Sequence, residues 1–183
     1  KTYVPDDNFE NYLEVNGMGD GIPLNDSIYT SAIDTVTILD VSSQTIADLT
    51  AIEDFTALTY LDCSYNQFTI FDVSQNTALT TLYCHSNQLT TLDVSQNTVL
   101  TKLDFGDAQL TSIDLSQNTA LTDLWCGLNL LTNLDVSQNT VLTFLSCNQN
   151  LFTILDVSQN TALTYLDCWQ NELTSLDLRN GNN

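Results

Sequence analysis

The sequence predicts a β-rich solenoid closed at its N-terminal end by a small helical cap, on three observations. Six blocks open with Leu-Thr and recur every 21 residues, at Leu58, Leu79, Leu100, Leu121, Leu142 and Leu163. A fixed period this short specifies one coil per repeat, each stacked on its neighbours. Within a block, two Leu-x-apolar triplets alternate apolar and polar side chains, which is a strand signal, and each half then turns at an asparagine. Residues 1–35 carry no repeat and start with a helix signal.

That N-terminal stretch opens at Pro5, Asp6 and Asp7, with Asp6 or Asp7 as the N-cap. Phe9, Tyr12 and Leu13 form one apolar face, and Gly17 and Gly19 end the helix. Residues 1–35 are therefore expected to cover the first coil, as solenoid ends require. Residues 36–57 form an irregular first repeat, because Leu58 follows Val36 by 22 residues instead of 21. Its segment 49–55 is long enough for a helical turn. Residues 58–183 hold six 21-residue repeats, the last one incomplete or truncated.

Each regular block runs LTxLxCxxNx and then LTxLDVSQNTA. The two halves predict short parallel strands on opposite walls, the first more regular than the second. The first-half asparagines are Asn66, Asn87, Asn129, Asn150 and Asn171; the second-half ones are Asn76, Asn97, Asn118, Asn139 and Asn160. An inward amide satisfies backbone groups that a buried turn cannot leave unpaired. Block three departs from the pattern, with Phe105 in the Cys place and Ala108 in the Asn place. This predicts a bulge or altered turn over residues 105–109.

Matching offsets also make columns. Cys63, Cys84, Cys126, Cys147 and Cys168 share the sixth place of their blocks, so they are expected to be stacked thiols serving as small hydrophobes. A disulfide between adjacent coils is the alternative, within geometric limits. Zinc needs ligands converging from several directions, which one column does not supply. Thr59, Thr80, Thr101, Thr122, Thr143 and Thr164 predict a hydrogen-bonding ladder along the stack. Asp72, Asp93, Asp114, Asp135, Asp156 and Asp177 share one place on the second wall. Stacked strands about 4.8 Å apart would set neighbouring carboxylates repelling by about 0.9 kcal/mol in water. Hydrogen bonds from turn N–H groups and serines, raised carboxylate pKa values, or bound Ca²⁺ would each offset this. Local hydrogen bonds are the expectation and calcium the alternative; no other cofactor is indicated.

The segment Leu79-Thr-Thr-Leu-Tyr-Cys-His-Ser-Asn87 resembles a leucine-rich-repeat signature. The whole block, LxxLxCxxNxLTxLDVSQNxx, is similar to the 21-residue subclass found in bacterial extracellular leucine-rich-repeat proteins. The opening stretch, with Phe9 in its helix and the segment Leu39–Ser42, resembles the cap that precedes such repeats. The resemblance covers nearly the whole chain. It implies a right-handed leucine-rich-repeat solenoid with parallel strands on a concave face used for binding, and a strand or extended segment on the second wall. It further implies an extracellular or cell-surface location and favours protein contacts over glycan contacts.

Charge narrows the partners. There are 23 acidic residues against 3 basic ones, Lys1, Lys102 and Arg179, and a formal net charge of −20. Phosphate backbones need Lys and Arg, so nucleic acid is excluded. No run of about 20 apolar residues exists to insert in a membrane. The polar start at Lys1 suits a trimmed secreted protein. A monomer is expected, with end-to-end association left open by the uncapped last coil unless the tail from Arg179 to Asn183 folds over it.

The strongly variable places on this uniform frame are the third, fifth and seventh of each block, which point outward from the first-half strand. They hold Tyr60, Tyr83, Asp123, Trp125, Phe144, Tyr165, Asp167 and Trp169, the expected ligand-binding face. Exposed aromatic patches mark interaction sites, and such anchors dominate protein recognition. The same rings beside carboxylates would also suit a carbohydrate-binding module, and a structural spacer is the remaining alternative. No catalytic residue is expected. His85 is the single histidine, with no Ser-His or Cys-His signature around it, and is taken as an exposed variable position.

Overall fold

The computed structural model describes residues 1–179. Strand β1 (Thr2–Tyr3) pairs antiparallel with β2 (Ser27–Ile28), and helix α1 (Asp7–Val15) lies between them in sequence. Asp6 caps α1: its Oδ1 accepts from the N–H groups of Asn8 and Phe9 at 3.0 Å each. Its Oδ2 accepts from Ala47 N–H at 2.8 Å, which ties the cap to the first coil. Phe9 and Leu13 are buried, and the Phe9 ring stacks on Phe55 with centroids 6.4 Å apart. The helix stops at Gly17, whose φ of 75° is the left-handed geometry glycine adopts without steric penalty.

The coils contribute β3 (Ile38–Asp40), β4 (Tyr60–Asp62), β5 (Thr81–Tyr83), β6 (Lys102–Asp104), β7 (Asp123–Trp125), β8 (Phe144–Ser146), β9 (Ile154–Asp156), β10 (Tyr165–Asp167) and β11 (Ser175–Asp177). Seven of them form one parallel sheet in the order β3-β4-β5-β6-β7-β8-β10, with each coil in register with the next. The central residue of β3 to β8 points inward and is buried, from Leu39 to Leu145, while its neighbours face out. Threonine hydroxyls lace the strand entrances. Thr80, Thr101, Thr122, Thr143 and Thr164 each donate to the carbonyl one coil back at 3.0 Å.

The second wall departs from the expectation of a strand in every coil: β9 and β11 pair in parallel, and the earlier coils run extended there without a ladder. Thr90 N–H lies 3.5 Å from Thr69 O, whereas Thr174 N–H reaches Thr153 O at 2.9 Å. In the first coil the wall is a turn of 3₁₀ helix over Ile52–Asp54, entered through Ala51 at a φ of 104°.

Both asparagine columns are buried, apart from the half-exposed Asn171, but they act differently. Asn87 Nδ2 donates to the carbonyls of Cys63, Cys84 and His85, and its Oδ1 accepts from Phe68 N–H. Asn97 Nδ2 donates to Val73 O and Asn76 O, while its Oδ1 meets no protein donor; the other second-column amides repeat this. Block three keeps its turn, contrary to the expected bulge. Asp107 has a φ of 52°, in line with Tyr65, Ser86, Leu128, Gln149 and Gln170 at the same place. The left-handed residue and the bond from Asp107 N–H to Gly127 O (3.0 Å) set that turn, and the absent Asn clamp does not. Phe105 fills the Cys place and is fully buried.

Candidate functional site

The parallel register places the outward residues of β4 to β10 side by side. Tyr60 meets Tyr83 edge to face with centroids 5.8 Å apart, and Tyr83 reaches across β6 to Trp125 at 6.3 Å. Trp125 tilts against Phe144 at 4.9 Å, and Phe144 lies parallel to Tyr165 at 4.5 Å and 2°. Five of the eight expected site residues thus form one aromatic ladder over the concave sheet. Each ring is half covered by its neighbours, and Tyr165 at the end is 49% exposed. Such ring pairs add about 0.5–1.5 kcal/mol each beyond the area they bury. Burial and then the Asp62 carboxylate push the Tyr60 phenol up from its ordinary value.

Trp169 does not join this ladder. It is 53% exposed at the strand end and makes no ring contact among the described residues. The carboxylates of the face have structural partners: Asp123 Oδ2 accepts from Thr122 Oγ1 at 2.7 Å, and Asp167 Oδ1 from Trp169 N–H at 3.4 Å. His85 is half-buried, contrary to expectation. Its Nδ1 sits 3.2 Å from Asp104 Oδ2, outside hydrogen-bond geometry, and its ring meets Tyr65 edge to face at 5.0 Å. Asp104 raises its pKa above the ordinary imidazole value, and burial opposes that. Ser64, expected to face outward, is buried, with its hydroxyl on Asp62 Oδ1 at 2.6 Å.

Neither other column converges on a metal. In the Asp column each Oδ1 accepts the N–H two residues on, as from Asp93 to Ser95 and Asp114 to Ser116, both at 2.9 Å. These bonds hold Asp93, Asp114 and Asp135 below the usual carboxylate value, the reverse of the raised pKa values weighed as one remedy. Arg179 draws Asp177 down to about 2. Among the described residues, the three-carboxylate group close enough for an ion is Asp7, Glu10 and Asp26, and the buried Glu10 already accepts from Asn25 and Asp26 N–H groups. The five cysteines are free thiols. Burial raises them all, Cys147 to about 12; four are packed in the core and Cys168 is the least covered.

The sequence pattern missed one feature. A groove of about 850 Å³ lies on the second wall, lined by the 3₁₀ turn of the first coil and the extended walls of the next two. Leu49, Ile52, Ile70, Phe71 and Leu92 line it beneath Asp48, Glu53, Asp72 and Asp93. The extra residue of the first repeat was the available signal.

In-register coils, buried asparagine columns and a concave parallel sheet define a leucine-rich-repeat solenoid. No family model matches the chain. Over 74 residues it is 48% identical to internalin J of Listeria monocytogenes serotype 4b (strain F2365), a stretch that is 40% of this chain and 8% of that protein. The solved functional domain of internalin J from Listeria monocytogenes, described as including a cysteine ladder, matches with a TM-score of 0.59 at 37% identity. That match covers 96% of this chain and 48% of the other. A leucine-rich-repeat protein of Leptospira interrogans matches with a TM-score of 0.72 over 82% of this chain and 42% of its own. At 24% identity that likeness shows the fold alone. The chain therefore spans less than half the length of each of these relatives. Its fold is that of the leucine-rich-repeat proteins, and the Listeria internalin J is a homologue.

Proposed function

We propose that the chain is a non-catalytic recognition module that binds a protein partner through the concave face of its seven-stranded sheet, outside the bacterial cell or on its surface. The observation that carries this reading is the run of ring contacts from Tyr60 through Tyr83, Trp125 and Phe144 to Tyr165. Rings already held by their neighbours lose little freedom when a partner docks, and aromatic anchors supply most of the energy of such contacts. Asp62, Asp104, Asp123 and Asp167 between them steer a basic partner. Homology to internalin J supports a protein-interaction or adhesion role and a secreted or surface location. Among the described residues, no helix is long and apolar enough to cross a membrane.

Sugar binding is less well supported. Phe144 and Tyr165 lie face to face at 4.5 Å, so the ring faces on which a sugar would stack cover each other. A panel of purified extracellular proteins and a glycan array, probed with the wild type and the Trp125→Ala/Phe144→Ala variant, tests the reading. It expects a protein ligand whose Kd rises at least about ten-fold in the variant, or about 1.4 kcal/mol. A glycan ligand with that sensitivity, or a protein ligand indifferent to the substitutions, overturns it.

A further inference from the structure

The aromatic ladder is interrupted once. Between Tyr83 and Trp125 the third coil contributes no ring, and beside that gap glycine occupies the same place on two consecutive coils, as Gly106 and Gly127. The backbone does not demand either. The glycines with positive φ are Gly17 and Gly21, and the left-handed residue of each turn is the following one, Asp107 or Leu128. What the pair allows is the close approach of neighbouring groups. A Cβ on Gly127 would come within 2.5 Å of Asn148 Oδ1, and one on Gly106 within 3.3 Å of Asp104 Oδ1.

The pair also lines a recess of about 330 Å³, walled by Trp125 and His85 and edged by Asp104 and Asp107, with no Lys or Arg in its lining. Asp104 and Trp125 are register partners on β6 and β7, so carboxylate and indole stand side by side. Asp104 Oδ1 accepts from Gly106 N–H at 2.9 Å, which fixes its orientation, with its Oδ2 3.2 Å from His85 Nδ1. Asp107 Oδ2 accepts from Ser86 Oγ at 3.0 Å, and the residue is exposed. Indole face, oriented carboxylates and a strongly negative chain together select a cation. Among cationic side chains, the planar fork of arginine stacks on an indole and takes a carboxylate in two bonds, which the ammonium of lysine does not.

We infer that the Gly106–Gly127 recess receives an arginine side chain of the protein partner, its guanidinium lying against Trp125 and paired with Asp104 and Asp107. This rests on the reading of the concave face as protein-binding and adds the chemistry of the residue recognised.

The test titrates acetyl-Gly-Arg-Gly-amide into the whole chain and follows the two tryptophan indole N–H signals by NMR. Trp169, outside the recess, serves as the internal reference. The expected result is a saturable shift at Trp125 and not at Trp169, weakened about ten-fold or more when citrulline replaces arginine. Gly127→Gln fills the recess without changing charge and should weaken the shift as much. Asp107→Asn, on the exposed turn, should weaken it several-fold even if the glycine substitution disturbs the coil. Equal shifts at both indoles, an equal response to the citrulline peptide, or a Trp125 shift with cellobiose instead overturns the inference. Failure of the concave-face reading shows elsewhere, as partner binding that Phe144→Ala and Tyr165→Ala leave unchanged whatever the peptide does.

Discussion

Ala108 lacks the side chain with which its counterparts clamp each turn to the previous coil. Asn129 makes two such bonds, to Phe105 O and from Leu110 N–H, and two more within its own turn, to Cys126 O and Gly127 O, all between 3.0 and 3.3 Å. The same offsets from position 108 point to Cys84 O and Leu89 N–H. Ala108→Asn is therefore expected to stabilise the fold by about 1 kcal/mol, the net worth of a hydrogen bond or two. Urea denaturation measures it, and a destabilised variant would contradict the clamp. A second prediction concerns His85, whose pKa Asp104 raises above the ordinary imidazole value. A raised folded pKa means stabilisation that is complete below the ordinary value and lost as pH rises through the raised one. The melting-temperature loss on Asp104→Asn should be larger at about pH 5.5 than at about pH 8. An equal loss at both would show that the pair contributes nothing through charge.

Strands and turns were legible in the sequence because a constant offset becomes a physical column once the coils are in register. That put Leu61, Leu82 and Leu103 inside and Tyr60, Tyr83 and Trp125 outside. It could not show which outward rings touch. Tyr83 and Trp125 meet across a whole strand, whereas Trp169 belongs to the same set of places and stands apart, because side-chain lean is set by neighbours and not by offset. The recess was hidden for a related reason: it depends on how side chains pack around Gly106 and Gly127, which offsets do not give. The expected bulge at block three confused the clamp with the turn itself, which Asp107 forms without it. On the second wall, the Asp column carries its own prediction. Bonds from Ser95, Ser116 and Ser137 N–H groups depress Asp93, Asp114 and Asp135 below 3.8, so their stabilisation is present above that value and lost as pH falls through the depressed ones. The melting temperature should fall on acidification from about pH 5 to about pH 3 and be unmoved by a calcium chelator at neutral pH. A drop with chelator would assign the column to a cation.

Across the molecule, repetition does two things at once. Identical inward residues, threonine hydroxyls and asparagine amides fix the frame coil by coil, since each repeat contacts only its neighbours. The variable places are thereby free to build a surface, and here they build rings among carboxylates on a chain of net charge −20. A frame this regular holds its aromatic ladder in place before any partner arrives, which is why the concave sheet and not a loop carries the recognition proposed. Hydroxyl-radical footprinting of the chain alone and with its protein ligand tests that claim most directly. Protection at Tyr60, Tyr83, Trp125, Phe144 and Tyr165, with Ile70 and Ile154 on the opposite wall unchanged, is the predicted result. Protection confined to Ile70 and Ile154, with the ladder as reactive as before, would contradict it.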